Sequence, residues 1–184
     1  MDAIALLTED HRRIDLLFDA VSDGDVTAIP QVCDALLLHS RMEEEVLYPA
    51  ISRFLGEAEW DVAAALEDHL IIRKLVSELS TESSISPSYL AQAGVLMRLV
   101  RDHVREEEED LFPRIAAATS PRVVEKMGAE LERVRRSRST ATADIRQDPG
   151  ASSDGDASWV ESPLTQDPQV DRTVGAVIRR TQGA

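Results

Sequence analysis

Apolar residues recur at steps of three and four along four segments of the first two-thirds of the chain. This spacing places side chains on one face of an α-helix, so each segment is predicted to be an amphipathic helix. The predicted helices cover residues 2–21, 30–47, 57–79 and 86–111. Ser86 before Pro87 is a typical helix start, because serine caps free N–H groups and proline fits the first turn. No segment alternates for long with the period of two that a strand requires, so the fold class is all-α.

Short connections join these segments, and short connections make successive helices antiparallel. We therefore expect an up-down antiparallel four-helix bundle over residues 1–118. A second serine–proline pair predicts an additional C-terminal helix over residues 119–138. The rest of the chain is rich in Ser, Thr, Asp, Gly and Pro, which predicts a largely disordered, flexible tail over residues 139–184. Within that tail, apolar spacing after an Asp–Pro pair predicts a short helix over residues 168–181.

Each of the four histidines in the chain occupies a position in the apolar stripe of a different predicted helix, where the spacing predicts an apolar residue. Two of them are followed by a glutamate four residues later. Four residues carry a helix about 40° past a full turn, so each of these glutamates points the same way as its histidine. The six polar positions in the stripes are His11, His39, Glu43, His69, His103 and Glu107.

The chain also contains an internal repeat. Residues 39–51 align without a gap to residues 103–115, and eight of these thirteen positions are identical. Upstream, the sequence Glu-Asp-His ends at His11 in one half and at His69 in the other. The bundle is therefore expected to consist of two pseudo-symmetric hairpins, each with one lone histidine and one His-x-x-x-Glu motif.

Burial of six polar groups at one level of a bundle requires that they have partners. An unpartnered buried polar group costs about 1–3 kcal/mol, whereas a whole domain is stable by roughly 5–15 kcal/mol. The six groups could satisfy one another in a His/Glu hydrogen-bond network without metal, or they could bind metal ions. Zinc typically takes four ligands, and calcium and magnesium take oxygen ligands. Four imidazoles with two bridging carboxylates suit two iron ions, and suit two manganese ions less well.

Charge and cysteine content exclude other classes of function. The chain has 34 Asp and Glu against 20 Lys and Arg, a net charge of −14, and 24 of these acids but only 10 of the bases precede residue 119. Such acidity argues against nucleic acid or an anionic membrane as a partner. No apolar run approaches the roughly 20 residues of a membrane span. A single cysteine cannot form an internal disulfide, and it fits a cytoplasmic protein.

The order of the six positions, together with the Leu-Tyr-Pro and Leu-Phe-Pro sequences that follow the two glutamates, resembles the hemerythrin-like (HHE cation-binding) family. The resemblance covers roughly residues 3–116. It implies a non-haem di-iron centre in an up-down bundle, associated with dioxygen binding or sensing, iron handling, or peroxide and nitric oxide chemistry. Oxygen-carrying members have a further histidine one turn after the one on the third helix. This chain has Arg73 there, and arginine cannot be a ligand because it stays protonated.

The absence of a fifth histidine leaves coordination positions open to water, to a spare carboxylate or to an exogenous ligand. Glu106 is the best-placed spare carboxylate, and its counterpart in the first hairpin is Met42. An extra ligand there would make the two metals inequivalent. The remaining acids of the two Glu-rich runs are predicted to be solvated, with an acidic approach for metal ions as the alternative. Cys33 is predicted to be a small packing residue.

Two further features lie close to the motifs. Tyr48 and Phe112 occupy matching places in the two repeats and are predicted to pack at the end of the bundle, with a gate to the metal site as the alternative. The arginines at 133, 135, 136 and 138 cluster late in the additional helix. Solvation and the helix dipole account for them, and a partner-docking patch is the alternative.

Three hypotheses for the function follow. The leading one is a cytoplasmic di-iron protein that binds or senses dioxygen or iron, without turnover as its main role. The second is a peroxide-decomposing enzyme of catalase or peroxidase type, which the loss of a ligand at Arg73 favours. The third is a metal-free helical interaction module. The sequence leaves open the choice among dioxygen, peroxide, nitric oxide and iron as the ligand, and it leaves the oligomeric state open.

Overall fold

A computed structural model of the chain describes residues 1–82 and 84–147, with side chains up to residue 137. Its α-helices are α1 (Ala3–Ser22), α2 (Ile29–Met42), α3 (Tyr48–Phe54), α4 (Glu59–Thr81), α5 (Pro87–Glu106), α6 (Phe112–Ala118) and α7 (Pro121–Gln147). Single 3-10 turns, Val26–Ala28 and Gly56–Ala58, precede α2 and α4. Over the described residues, no helix is both long enough and apolar enough to cross a membrane.

The all-α up-down bundle predicted from the sequence is confirmed. Helix α1 packs on α2 and α5, and α4 packs on α5 and α2, so the four long helices close a ring. Ser86 caps α5 as expected, since its hydroxyl accepts a hydrogen bond from the backbone N–H of Tyr89 at 3.1 Å. Gly24, with a φ of 100°, turns the chain after α1 in a conformation that other residues rarely adopt.

A wide π turn interrupts each of the two helices that carry a His-x-x-x-Glu motif. The turns are Glu43–Leu47 and Glu107–Leu111, and a proline follows each by two residues, at Pro49 and Pro113. The predicted helices end at residues 47 and 111, just before these prolines, but helical structure continues through both. Proline lacks an N–H, and its ring clashes with the carbonyl four residues earlier in a regular helix. The locally wider hydrogen-bond spacing of a π turn accommodates this, so the second and fourth bundle helices extend as α3 and α6.

The apolar interior is divided into two clusters, with a polar layer between them along each bundle helix. One cluster lies at the end of the bundle that α3, α6 and α7 cover, and the other lies at the opposite end. On α1, for example, Leu7 belongs to the first cluster and Ile14 to the second, and His11 lies between them. The same order holds at His39, between Leu36 and Met42.

Helix α7 lies outside the bundle ring and packs on α1, α2 and the first π turn. Its buried face consists of Val124, Met127, Leu131 and Val134, which recur at helical spacing. The helix runs to Gln147, beyond the predicted end at residue 138, because the next residue that breaks a helix is Pro149. The predicted tail from residue 148 onward, with the short helix over 168–181, lies outside the described residues.

Gly128 on α7 allows the N-terminus to pack directly on this helix. A Cβ atom at this position would lie 2.3 Å from the backbone oxygen of Met1. We expect Gly128→Ala to lower the free energy of unfolding by about 1–3 kcal/mol, because backbone atoms must move to relieve the overlap. Gly94→Ala is the matched control, since a Cβ there meets only the end of the Arg98 side chain at 3.7 Å.

The two variants should shift stability in opposite directions in urea unfolding at equilibrium. Alanine in the middle of α5 should raise the free energy of unfolding by about 0.5–1 kcal/mol, because glycine loses more conformational freedom in a helix. Equal effects at Gly128 and Gly94 would show that the N-terminus does not pack on α7 as described.

Candidate metal centre

The six polar residues of the stripes converge in the buried layer between the two apolar clusters. Their exposed fractions lie between 0% and 4%. The Nε2 atoms of His11 and His39 are 3.0 Å apart, and those of His69 and His103 are 3.2 Å apart. The histidines therefore form two pairs, and each pair combines one histidine from each helix of a hairpin.

Glu43 lies between the two pairs. Its Oε1 is 3.1 Å from Nε2 of His39, and its Oε2 is 3.3 Å from Nε2 of His69. Glu107 also reaches both pairs, with its Oε2 3.5 Å from Nε2 of His11 and 3.7 Å from Nε2 of His103. Two sets of atoms lie close enough to share a metal ion: His11, His39, Glu43 and Glu107 in one, and Glu43, His69 and His103 in the other.

Several carboxylate oxygens of this layer have no hydrogen-bond partner among the described residues. Within the described part of the chain, both oxygens of Glu43 and Oε2 of Glu107 are buried without a hydrogen-bond donor. Buried carboxylates without partners are costly, and a pair of cations between the histidine pairs would satisfy them. The residues present therefore fit a two-metal site with imidazole and carboxylate ligands.

An outer layer of four carboxylates faces the other ring nitrogen of each histidine. Glu108 Oε1 lies 2.8 Å from Nδ1 of His11, and Glu44 Oε1 lies 2.8 Å from Nδ1 of His69. Asp10 lies 3.5 Å from Nδ1 of His39, and Asp68 lies 3.4 Å from Nδ1 of His103. A carboxylate at Nδ1 favours the tautomer that leaves Nε2 free to bind metal, and it orients the ring.

The remaining acids of the two Glu-rich runs were predicted to be solvated, and Glu108 is indeed exposed, whereas Glu44 is half-buried; both, however, also contact the site. Each carboxylate crosses to the lone histidine of the opposite hairpin. The internal repeat carried a signal for them, since each directly follows the inward-pointing glutamate of its half. Glu106, the proposed spare carboxylate, is exposed and is not among the residues that converge.

Arg73, which stands where oxygen carriers have a further histidine, donates a hydrogen bond to Glu44. Glu44 in turn accepts from Nδ1 of His69. Burial alone would raise the pKa of Glu44, but His69 and Arg73 outweigh this effect and together hold the pKa below its usual value. Arg73 thus keeps Glu44 ionised beside the histidine, which is an indirect role at the site.

Tyr48 lies in the site itself and does not merely pack at the end of the bundle. Its hydroxyl donates to Oε1 of Glu107 at 2.9 Å and lies 3.3 Å from Nε2 of His69. Burial, followed by the charges of Glu43 and Glu107, raises the pKa of Tyr48 far above its usual value, so the hydroxyl stays protonated. Phe112, at the matching place, stacks on His11 with ring centroids 5.7 Å apart. At this pair of matching positions, the two halves therefore differ by one hydroxyl group.

The metal-free cluster binds protons strongly. Burial alone lowers the pKa of His11 and His69, but the closeness of the carboxylates, Glu107 and Glu43 at His11 and Glu43 and Glu44 at His69, raises them to about 10 and about 9 respectively. Burial raises the pKa of Glu43, but the surrounding histidines outweigh it and hold that pKa well below the usual value. Burial and repulsion from Glu43 raise the pKa of Glu107. Protons on His11 and His69 thus balance the buried charge of Glu43.

These pKa values predict how the stability of the metal-free protein depends on pH. A histidine whose pKa is higher in the folded state stabilises the fold fully below its unfolded pKa of 6.5, and this contribution is lost as the pH rises through the folded value. The melting temperature of chelator-treated protein is therefore expected to fall between pH 7 and pH 10. Circular dichroism melts would measure this decrease. The melting temperature of His69→Gln should fall less steeply with pH than that of the wild type. A melting temperature that rises over this range would contradict the prediction.

The fold and the site together define a class: a helical bundle protein with a buried histidine and carboxylate layer for binding cations. The family model described as the Hemerythrin HHE cation binding domain matches residues 2–115, which include all six converging residues. The chain belongs to this hemerythrin HHE cation-binding family.

Two individual proteins are similar to the chain. A curated protein of Nostoc sp. (strain PCC 7120) named "DNA nickase" is 29% identical over 128 residues, which cover 67% of this chain and 36% of that protein. The chain therefore spans about a third of the length of this relative. The crystal structure of a Hemerythrin HHE cation binding domain-containing protein from Mycobacterium kansasii matches with a TM-score of 0.67 and 23% identity. The match covers 79% of this chain and 93% of the Mycobacterium kansasii chain, and it shows that the two share a fold.

Proposed function

We propose that the chain binds two iron ions, one at each histidine pair, with Glu43 and Glu107 bridging them. The supporting observation is the pair of converging donor sets with three buried carboxylate oxygens that lack hydrogen-bond donors. Mixed imidazole and carboxylate ligands suit iron, and manganese is the second choice.

We further propose that the protein uses this site to bind or sense either dioxygen or iron itself. Burial supports a small ligand, since the six residues are at most 4% exposed and the polar layer is enclosed by apolar clusters. Burial of this degree favours a diatomic molecule over a larger organic substrate as the ligand. The single free cysteine is buried, and a cytoplasmic location remains a prediction from the sequence.

Anaerobic loading with Fe²⁺ tests this proposal. After removal of excess metal, a colorimetric assay should find about two irons per chain, and exposure to dioxygen should change the optical spectrum of the protein. Fewer than about one iron per chain would contradict the two-metal site. Unchanged spectra with dioxygen and with nitric oxide, at full iron content, would leave metal binding intact and refute ligand binding.

Peroxide decomposition is a second candidate, and the hydroxyl of Tyr48 favours it. That hydroxyl is a protonated donor beside Glu107 and His69, so it could donate a hydrogen bond to a peroxide oxygen. Iron supplies the redox chemistry of this reaction, in which two H₂O₂ yield two H₂O and one O₂. Oxygen release by iron-loaded protein is expected to drop in Tyr48→Phe, which recreates the side chain that the other half carries at Phe112.

We extend no DNA nicking activity to this chain from the similar protein of Nostoc. The similarity covers 36% of that protein. The net charge of −14 opposes contact with phosphate, and we propose neither nucleic acid nor membrane as a partner.

A further inference from the structure

Asp10 joins helix α7 to the histidine layer. Its Oδ2 lies 3.5 Å from Nδ1 of His39, a buried nitrogen without a hydrogen-bond partner over the described residues, and its Oδ1 accepts a hydrogen bond from Arg135 at 3.1 Å. Asp10 is 7% exposed, and Arg135 is about one-third exposed. A single buried carboxylate therefore contacts both a histidine of the site and an arginine from outside the bundle.

Arg135 lies outside both the internal repeat and the residues that match the family. The neighbouring Val134 and Leu131 are buried at 2% and 0%, so this part of α7 is firmly packed against the bundle. The prediction that the arginine cluster is merely solvated is therefore wrong for Arg135. It holds for Arg133, which is exposed and pairs with Glu130 on the same helix.

Among the residues that the structure describes, the second half of the bundle has no equivalent contact. Asp68 is the counterpart of Asp10 in the repeat and faces His103 at 3.4 Å. Its side chain is 30% exposed against 9% for Asp10, and over the described residues no lysine or arginine pairs with it. The ring nitrogens of His39 and His103 thus face carboxylates of the same kind in different electrostatic settings.

We propose that Arg135 is a positioning residue that acts on His39 through Asp10 and makes the two metal positions unequal. Without Arg135, the remaining cation near Asp10 is Arg13, at 3.9 Å and 62% exposed, which would draw the carboxylate toward solvent. Arg135 instead holds the carboxylate turned inward, where it orients the imidazole for a metal at Nε2. This inference rests on the proposed two-metal site.

Titration with Co²⁺, followed by its visible absorption, tests the proposal without reference to activity. The wild type is expected to bind two Co²⁺ with two distinct affinities. Arg135→Gln should weaken one of them about tenfold and leave the other within twofold, since loss of a direct partner of a ligand costs about 10–100-fold and Arg135 acts one contact further out, through Asp10. Arg135→Lys lacks the planar fork of arginine but keeps its charge. Because the charge is kept, this variant should recover most of the lost Co²⁺ affinity.

Three comparisons decide the outcome. Arg133→Gln, the matched control on the same helix, should bind both ions as the wild type does. In an Asp10→Asn background, Arg135→Gln should have no further effect, because the pathway through Asp10 is already cut. Any one of three results would overturn this inference and leave the two-metal site intact. They are equal affinities for Arg135→Gln and Arg133→Gln, additive effects of Arg135→Gln and Asp10→Asn, and a lysine variant as weak as the glutamine variant. A wild type that binds no Co²⁺ would overturn the two-metal site together with it.

Discussion

Glu43→Gln is expected to remove both metal ions at once. Glu43 is the residue that belongs to both sets of converging donors, and its two oxygens face His39 in one pair and His69 in the other. Glutamine has the same shape but is neutral and offers one acceptor oxygen. If Glu43 bridges the two ions, the substitution removes its negative charge and one of its two bonds to metal. Iron content after anaerobic loading should fall from about two per chain to well below one.

Glu45→Gln is the control for this variant. Glu45 belongs to the same glutamate run, but it is exposed and pairs with Arg41 on the same helix. Its removal should leave iron content unchanged, since exposed ion pairs contribute little. If Glu43→Gln retained both irons, Glu43 would not be a bridging ligand.

Glu43→Gln should also destabilise the metal-free protein. The carboxylate is completely buried beside His11, His39 and His69, whose pKa values are raised, so its neutralisation leaves the charge of these imidazoles uncompensated. Breaking a buried charge pair in this way costs about 3–5 kcal/mol. Urea unfolding of chelator-treated protein would measure the loss, again against Glu45→Gln.

Metal removal is expected to lower the melting temperature by at least about 10 °C, because metal bound only by the folded state stabilises it. Free metal at 1,000 times the dissociation constant contributes about 4 kcal/mol per site. For a chain of this size, each kcal/mol corresponds to about 2–4 °C. Calorimetry before and after chelation, followed by restoration with Fe²⁺ under argon, would measure the shift.

The same measurement separates the proposed function from a metal-free helical interaction module. Such a module would melt at the same temperature with and without chelator. Glu43→Gln serves as the internal reference, because a variant that binds no metal should not respond to the chelator. A wild type that melts unchanged after chelation would refute a structural role for metal.

The helical bundle and its six converging residues could be predicted because they follow from local periodicity. Residues three and four apart share a helix face, so the stripes identify both the buried sides and the polar residues that interrupt them. The repeat between residues 39–51 and 103–115 then required that both hairpins place these residues at the same level. No knowledge of the helix packing was needed for this step.

The leading prediction for Tyr48, packing at the end of the bundle, missed its contact with the site because the direction of this side chain depends on a π turn. Nine residues of regular helix separate it from His39, which would turn it about 180° away from that histidine. The extra residue of the turn Glu43–Leu47 rotates the following chain back by about 100°, toward the site. Periodicity assumes a uniform helix, so it cannot anticipate this rotation.

The outer carboxylates depend on packing between elements rather than on the periodicity of one helix. Glu44 meets His69, and Glu108 meets His11, across the two hairpins, while Arg135 reaches Asp10 from a helix about 125 residues later in the chain. A pattern along one helix shows which face is buried, and it therefore determined the bundle and the six inward-pointing residues. Which charged side chain meets which histidine depends on how separate helices are rotated against one another, and only the folded chain sets that.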